Sequence, residues 1–221
     1  MHRSVVIGTH SIPVSKILCV ARNYADHAKE MGTPVPDEPI FFLKPSTAIL
    51  LGGGTIRLPS QSSRVEVETE LAVILGHGGS GVRAKDAMAL VAGYAVFFDI
   101  TARDLQTKAR KEGSPWTAAK GFDTFAPMSE PVPADRVTDP HALPIRTEVN
   151  EVVRQDSSTS QMVFKIPQLL EAASQIMTLE PGDILATGTP AGVWPIASGD
   201  TLDGEIPGVG RLRCTARARN R

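Results

Sequence analysis

Cysteine is almost missing from this 221-residue chain: there are two, Cys19 and Cys214, far apart in sequence. That scarcity speaks against a disulfide-stapled scaffold, and Cys19, inside an apolar run, reads as a buried free thiol. Charge of either sign is not in excess. The formal net charge of −1 gives no electrostatic reason to expect nucleic acid or an anionic membrane as partner. Long hydrophobic runs are missing too, since no segment approaches the ~20 apolar residues of a membrane span. The N-terminus has no uninterrupted apolar stretch of a secretory leader, because His2, Arg3, His10 and Pro13 break it up. A cytoplasmic protein is expected. Internal repeats, low-complexity tracts and linkers long enough to part domains are also lacking. Gly52-Gly53-Gly54 is not followed by Gly-Lys-Ser/Thr, so it reads as a turn and not a phosphate loop.

What is present is the composition of an ordinary soluble globule, 42% hydrophobic and 21% charged. The length suffices for one sizeable core. Residues 1–15 are expected to form a short N-terminal segment and 16–221 a single domain. Nineteen Gly and seventeen Pro suggest a turn-rich, β-dominated chain.

The chain reads outward from Val65 to Leu75. Its residues alternate with period two, as in a β-strand. One face carries Val65, Val67, Thr69, Leu71, Val73 and Leu75; the other carries Glu66, Glu68 and Glu70, then Ala72 and Ile74. Adjacent carboxylates on one face repel unless something compensates. Water does so on an exposed edge; a divalent cation does so where carboxylate oxygens converge. Because Ala72 and Ile74 prolong the acidic face into apolar territory, the glutamates are placed at the rim of something buried.

A third acid comes from the strand Gly93–Thr101, which sets Asp99 in a very apolar run. A buried Asp needs a partner. Two strand carboxylates at i and i+2 and one from a neighbouring strand make an oxygen site for Mg²⁺, with metal–oxygen distances near ~2.1 Å. Glu68 and Glu70 adjoin the buried end and are preferred to Glu66.

Asn23 can cap a helix that Gly32 stops, with Asp26 in its first turn. On it His27 and Glu30 stand three apart and touch. A histidine oriented by a carboxylate is the usual general base for water, although a surface His-Glu pair has the same spacing. Lys44 ends an apolar strand, either snorkelling or reaching an anion. Arg103 and Gln106 share a helix face, and Lys120 lies between Ala119 and Gly121 in an aromatic stretch. Asn150-Glu151 marks a hairpin turn, and Pro167 opens a helix with Leu169, Leu170, Ala173, Ile176 and Met177 on its apolar face. The strand at Ile184 runs into Thr187-Gly188-Thr189-Pro190, a tip that suits carboxylate binding or is a plain tight turn.

Five blocks in order, Arg22-Asn23-Tyr24-Ala25-Asp26-His27, Phe42-Leu43-Lys44-Pro45, Glu68-Thr69-Glu70-Leu71, Asp99-Ile100-Thr101-Ala102-Arg103-Asp104, and Thr187 to Val193, resemble the fumarylacetoacetate hydrolase family. The short form, of acylpyruvase and fumarylpyruvate hydrolase type, is most similar, over residue 16 to the C-terminus. The resemblance implies an α+β, β-dominated fold: a mixed β-sandwich roll of the family's C-terminal-domain type with a few short helices, assembled as a homodimer. It implies Mg²⁺ or Mn²⁺ on Glu68, Glu70 and Asp99, and a water-activating pair in His27 and Glu30 on a lid-like helix. Lys120, Arg103 and Gln106 would contact a dioxo-acid whose carboxylate the Gly188-Thr189 turn holds; Arg22 and Lys44 are counted with these substrate contacts. The implied reaction is metal-assisted hydrolysis of a carbon–carbon bond in a 2,4-dioxo acid, releasing pyruvate. Oxaloacetate decarboxylation or hydroxy-dienedioate isomerisation at the same site is the alternative. A fold retained only to bind a dicarboxylate is a third reading, against which the complete residue set argues.

Two departures from the family pattern stand out. Val67 precedes the first metal glutamate where short-form members commonly have histidine, and the loop expected after the hairpin reads Asp156-Ser157-Ser158 where glycine is frequent.

Overall fold

The computed structural model describes residues 3–218. Two mixed sheets carry the architecture. The larger is ordered Ile40–Lys44, Ile17–Ala21, Ile184–Ala186, Thr69–Leu75, Val91–Phe98, Ala126–Met128 and Ile49–Leu51, with Val132–Pro133 attached to Val91–Phe98. The smaller runs Val152–Ser158, Pro144–Val149, Thr201–Ile206, Gly210–Ala218, Gly54–Leu58. Most neighbours are antiparallel. Ile184–Ala186 lies parallel to Ile17–Ala21, Ala126–Met128 to Ile49–Leu51, and Gly210–Ala218 to Gly54–Leu58. Parallel neighbours require crossovers, which is how distant stretches of chain come to lie side by side. The fold is the expected β-dominated α+β roll of curled sheets with few short helices.

Alternate residues of Thr69–Leu75 serve two cores. Leu71, Val73 and Leu75 pack with Val96 and Phe98 and, from the smaller sheet, with Ile145, Val149, Leu202 and Ile206. Ala72 and Ile74 turn to the other side, among Ile17, Cys19, Phe97 and Ile184, under Val5 and Ile7 of the N-terminal hairpin Ser4–Ile7/His10–Pro13. A strand buried on both faces reads as an unbroken apolar run, as this one does past Glu70. Each such Leu, Val or Ile contributes about 1.5–3 kcal/mol through burial.

The acidic stretch is not one strand. Val65–Val67 and Thr69–Leu75 lie either side of Glu68 and belong to different sheets, the first pairing with Thr101–Ala102 and Trp194–Ile196. Alternation in sequence keeps its parity across a one-residue interruption, so periodicity could not register it. Val91–Phe98 likewise stops just before Asp99. The two interruptions meet, since the Asp99 N–H donates to the Glu68 carbonyl at 2.8 Å. A corner shared by two strand ends therefore presents both acids together.

Local expectations differ from the fold at three other places. Tyr24, not Asn23, occupies the N-cap position of the helix Ala25–Glu30, and its side chain makes no capping bond. The Asn23 side chain instead receives the Phe164 N–H at 2.7 Å and donates to the Phe164 and Thr187 carbonyls, tying the helix entrance to two distant segments. On the helix Ile166–Ile176, Leu169, Leu170 and Ala173 are buried, whereas Ile176 is exposed. Asp156-Ser157-Ser158 is the end of the strand Val152–Ser158, not a loop. The hairpin turn at Asn150-Glu151 forms as expected, both residues adopting positive φ.

Candidate metal centre and active site

Glu68, Glu70 and Asp99 are buried, and each offers one carboxylate oxygen in a group spanning no more than 4.8 Å. They line one cavity of about 80 Å³ together with His27, Lys120, Arg103 and Gln106. Sequence placed the glutamates at a rim; here they lie inside, and Glu66 is buried as well.

Burying four carboxylates is tolerable only with partners. Glu66 pairs with Arg64 at 2.6 Å and with Arg103 at 2.5 Å. Arg103 also grips Glu68 and donates to Gln106 Oε1 at 2.5 Å. Lys120 Nζ stands 3.1 Å from Glu68 Oε2, 2.5 Å from Asp99 Oδ2 and 2.7 Å from Thr101 Oγ1. Burial works to lower the Lys120 pKa, but Asp99 and Glu68 outweigh it and hold it above the ordinary value. Burial alone would raise the Glu68 pKa, yet Lys120 and Arg103 keep it well below the usual carboxylate range.

Lys44 is used differently. Its three N–H donors go to the carbonyls of Ile100, Lys120 and Phe125 at 2.8–2.9 Å. Asp99 Oδ1 lies 2.7 Å from the same nitrogen. A lysine has three donors, so that fourth contact is one of charge, and Asp99 Oδ1 is left buried without a hydrogen bond. Glu70 is the unmatched acid. Among the described residues it receives one hydrogen bond, from the Gly188 N–H at 2.8 Å, and no ion pair. Burial, then the charges of Asp99 and Glu68, push its pKa well above the ordinary value. A Glu70 with no ion pair among the described residues and a purely carboxylate donor set fit a hard divalent cation such as Mg²⁺ or Mn²⁺.

His27 lines the same cavity, and its Nδ1 lies 3.0 Å from Glu30 Oε2. With Nδ1–H donating to the carboxylate, Nε2 is left as the basic nitrogen. Glu30 is itself held, accepting from the Gly192 N–H at 3.0 and 3.2 Å. Gly192 has φ +98°, and a Cβ there would fall 1.9 Å from the Arg154 carbonyl, so only glycine fits.

The strand tip from Thr187 to Gly192 thus binds carboxylates, but those of the protein. Gly188 holds Glu70 and Gly192 holds Glu30, while Thr189 Oγ1 donates to the Thr69 carbonyl at 2.8 Å. The Gly188 N–H has no donor left for a substrate. Nor is Lys44 brought to the cavity. Arg22, His27, Glu68, Glu70, Asp99, Arg103, Gln106, Lys120 and Thr189 all are.

Three contributors escaped the sequence reading. Glu66 was set aside because its distance from the apolar end ignored the chain break at Glu68. Gln155, buried in the smaller sheet, accepts from the Thr69 N–H at 3.0 Å and donates to Thr189 Oγ1 at 2.8 Å. No local pattern marks such a residue, because its partners lie 86 and 34 positions away. Arg110 lines the cavity one heptad after Arg103. The helix puts it on the face of Arg103 and Gln106, with its side chain exposed. Val67, in the position noted as unusual, is buried in the core and faces Trp194 across the strand pair.

Comparison with known proteins agrees with this geometry. The model of the fumarylacetoacetate (FAA) hydrolase C-terminal family matches residues 16–217. Mouse oxaloacetate tautomerase FAHD1, mitochondrial, is 46% identical over 197 residues, covering 89% of each chain. The mitochondrial oxaloacetate decarboxylase of Dictyostelium discoideum is 43% identical over 195 residues, 88% of this chain and 89% of that one. Among solved structures, the fumarylpyruvate hydrolase of Pseudomonas aeruginosa in complex with Mn²⁺ and pyruvate superposes with a TM-score of 0.93 at 36% identity. That match covers 99% of this chain and 97% of the other. With its fold, its acid trio and these matches in agreement, the chain belongs to the fumarylacetoacetate hydrolase family.

Proposed function

We propose that the chain, with residues 16–221 as one catalytic domain behind a short N-terminal segment, is a divalent-metal-dependent hydrolase of 2,4-dioxo acids. Its substrates are acylpyruvates such as fumarylpyruvate, and pyruvate is a product. The observation that carries this reading is His27, which lines the same cavity as Glu68, Glu70 and Asp99 and is held from behind by Glu30 at 3.0 Å.

A Mg²⁺ or Mn²⁺ ion held by Glu68, Glu70 and Asp99 would supply a Lewis acid and a template for the oxo-acid end. His27, its Nδ1 fixed by Glu30, takes a proton from water at Nε2. The hydroxide adds to the distal carbonyl carbon, and the bond from that carbon to C3 breaks. The distal acyl group leaves as a carboxylic acid and the remainder as the pyruvate enolate. Lys120 offers positive charge to that enolate, and the proton on His27 returns to C3. Arg103 and Gln106 contribute at the oxo-acid end by fixing Glu68 and lining the wall. The working protein is taken to be a cytoplasmic homodimer.

A second reading is favoured by the relatives named for oxaloacetate at 43–46% identity. Tautomerisation needs a proton moved between C3 and oxygen, and decarboxylation needs only the enolate stabilised. The same residues can serve both. Pyruvate release from acetylpyruvate, fumarylpyruvate and oxaloacetate, each with Mg²⁺ and with EDTA, separates hydrolysis from decarboxylation, the decay of the oxaloacetate enol absorbance reads tautomerisation, and His27→Ala runs alongside. Turnover of an acylpyruvate that needs both Mg²⁺ and His27 supports the hydrolase. Reaction of oxaloacetate alone, indifferent to His27, overturns it in favour of decarboxylation.

A further inference from the structure

The cavity is polarised in charge. Every carboxylate lining it (Glu68, Glu70 and Asp99) is buried at the metal end. Two of its lining cations are also deep and already engaged: Lys120 with Glu68 and Asp99, and Arg103 with Glu66 and Glu68. Two others differ. Arg22 is half-buried and Arg110 exposed, so both stand towards the mouth, and neither is in an ion pair among the described residues.

Their placement follows from the chain. Arg103, Gln106 and Arg110 fall at i, i+3 and i+7 of the helix Arg103–Glu112, which is one face. Arg110 therefore continues outward the row whose inner members fix Glu68, about 10 Å along the axis from Arg103. Arg22 follows the strand Ile17–Ala21 and has φ +58°, the left-handed region that favours glycine. An arginine held there puts a guanidinium beside the cavity, where among the described residues its one hydrogen bond is a long one of 3.3 Å to the Pro34 carbonyl. Strain of this kind at a cavity wall is characteristic of functional positions.

We propose that Arg22 and Arg110 form a subsite for the second carboxylate of the substrate, so that the enzyme selects 2-oxo diacids over 2-oxo monoacids. The inference rests on the oxo-acid reading above and deepens it. The metal end anchors the 2-oxo-carboxylate; the unpaired guanidinia, each able to form a bidentate pair, take the far carboxylate. Fumarylpyruvate and oxaloacetate have such a group, and acetylpyruvate does not. The subsite serves hydrolysis and oxaloacetate chemistry alike.

The test measures binding and not turnover. Calorimetric titration of the Mg²⁺-loaded protein compares 2-oxoglutarate with 2-oxovalerate, which share the 2-oxo acid and differ at the far end. Neither carries the 4-oxo group or β-carboxylate that cleavage needs. Wild type is expected to bind the diacid roughly tenfold to hundredfold more tightly, the range of a charge-assisted contact. In Arg110→Gln that ratio should fall towards one, in Arg110→Lys partly so, and added salt should reduce it at this half-open site. A wild type that binds both ligands equally overturns the subsite alone. A ratio unchanged in both Arg110→Gln and the Arg22→Gln/Arg110→Gln double variant does the same. A wild type that binds neither overturns the oxo-acid reading, and the subsite with it.

Discussion

Glu70 is held by Gly188, whose N–H donates to its carboxylate at 2.8 Å across 118 positions of sequence. The bond exists because Gly188 adopts φ +93°, aiming its N–H back at the strand. A Cβ at Gly188 would lie 2.8 Å from Asn23 Cβ. Asn23 cannot retreat, since its side chain bridges Phe164 and Thr187. One backbone conformation thus sets the position of a metal-binding acid.

Gly188→Ala is therefore expected to cost about 1–3 kcal/mol from the positive φ alone, and to loosen Glu70. Mg²⁺ titration followed by thermal unfolding should show both a lower melting temperature and weaker metal binding. A variant with wild-type metal affinity would mean that the Gly188 bond does not position Glu70.

How far the site was legible can be judged from these residues. Glu68, Glu70 and Asp99 were legible because acids inside apolar runs are costly, and cost is visible locally. His27 and Glu30 were legible because helical spacing alone makes them neighbours. The use of Gly188 and Gly192 was half legible: a Thr-Gly-Thr-Pro tip announces exposed N–H groups, but not whose carboxylates they meet. Lys44 was ambiguous for the same reason. Whether a lysine at a strand end reaches outward or inward depends on three carbonyls from other segments. The division of the acidic strand at Glu68 was hidden, because parity survives it.

The unpaired Glu70 predicts how metal-free protein responds to pH. Its folded pKa is raised, so the folded state keeps a proton that the unfolded state has released above about pH 4.3. Stability supplied by that proton is present at low pH and lost as pH rises from there through the folded value. EDTA-treated wild type should accordingly lose stability on this account towards neutral pH, and Glu70→Gln should lose less. Mg²⁺ should raise the wild-type melting temperature more at pH 7.5 than at pH 5.5. Denaturant melts across pH, with and without Mg²⁺, measure this; identical pH slopes in the two proteins would exclude Glu70 as the source.

Lys44 separates a structural lysine from a substrate contact. Lys44→Met removes the donor from three buried carbonyls and the countercharge from Asp99, a loss of about 3–5 kcal/mol by analogy with half-broken buried pairs. Urea unfolding should show it directly. If stability is preserved while oxo-acid affinity drops, Lys44 contacts substrate after all.

Gln155 gives the sharpest test of how the smaller sheet supports the site. Its Oε1 accepts from the Thr69 N–H at 3.0 Å and Thr147 Oγ1 at 2.9 Å, and its Nε2 donates to Thr189 Oγ1 and the Pro190 carbonyl, both at 2.8 Å. Every polar group of the amide has its partner, and the residue is buried. Gln155→Leu leaves the Thr69 N–H and the Pro190 carbonyl unmatched, so about 1–3 kcal/mol should be lost for each group that water cannot reach. Gln155→Glu keeps the shape but points an acceptor at the Pro190 carbonyl. Its burial would raise the new carboxyl's pKa, and stability would be retained in acid and fall as pH rises past about 4.3. Thr189 and Pro190 follow Gly188 directly, so both variants should also weaken Mg²⁺ binding through Glu70. Loss of stability without loss of metal affinity would show that the 188–192 tip keeps its place without the smaller sheet.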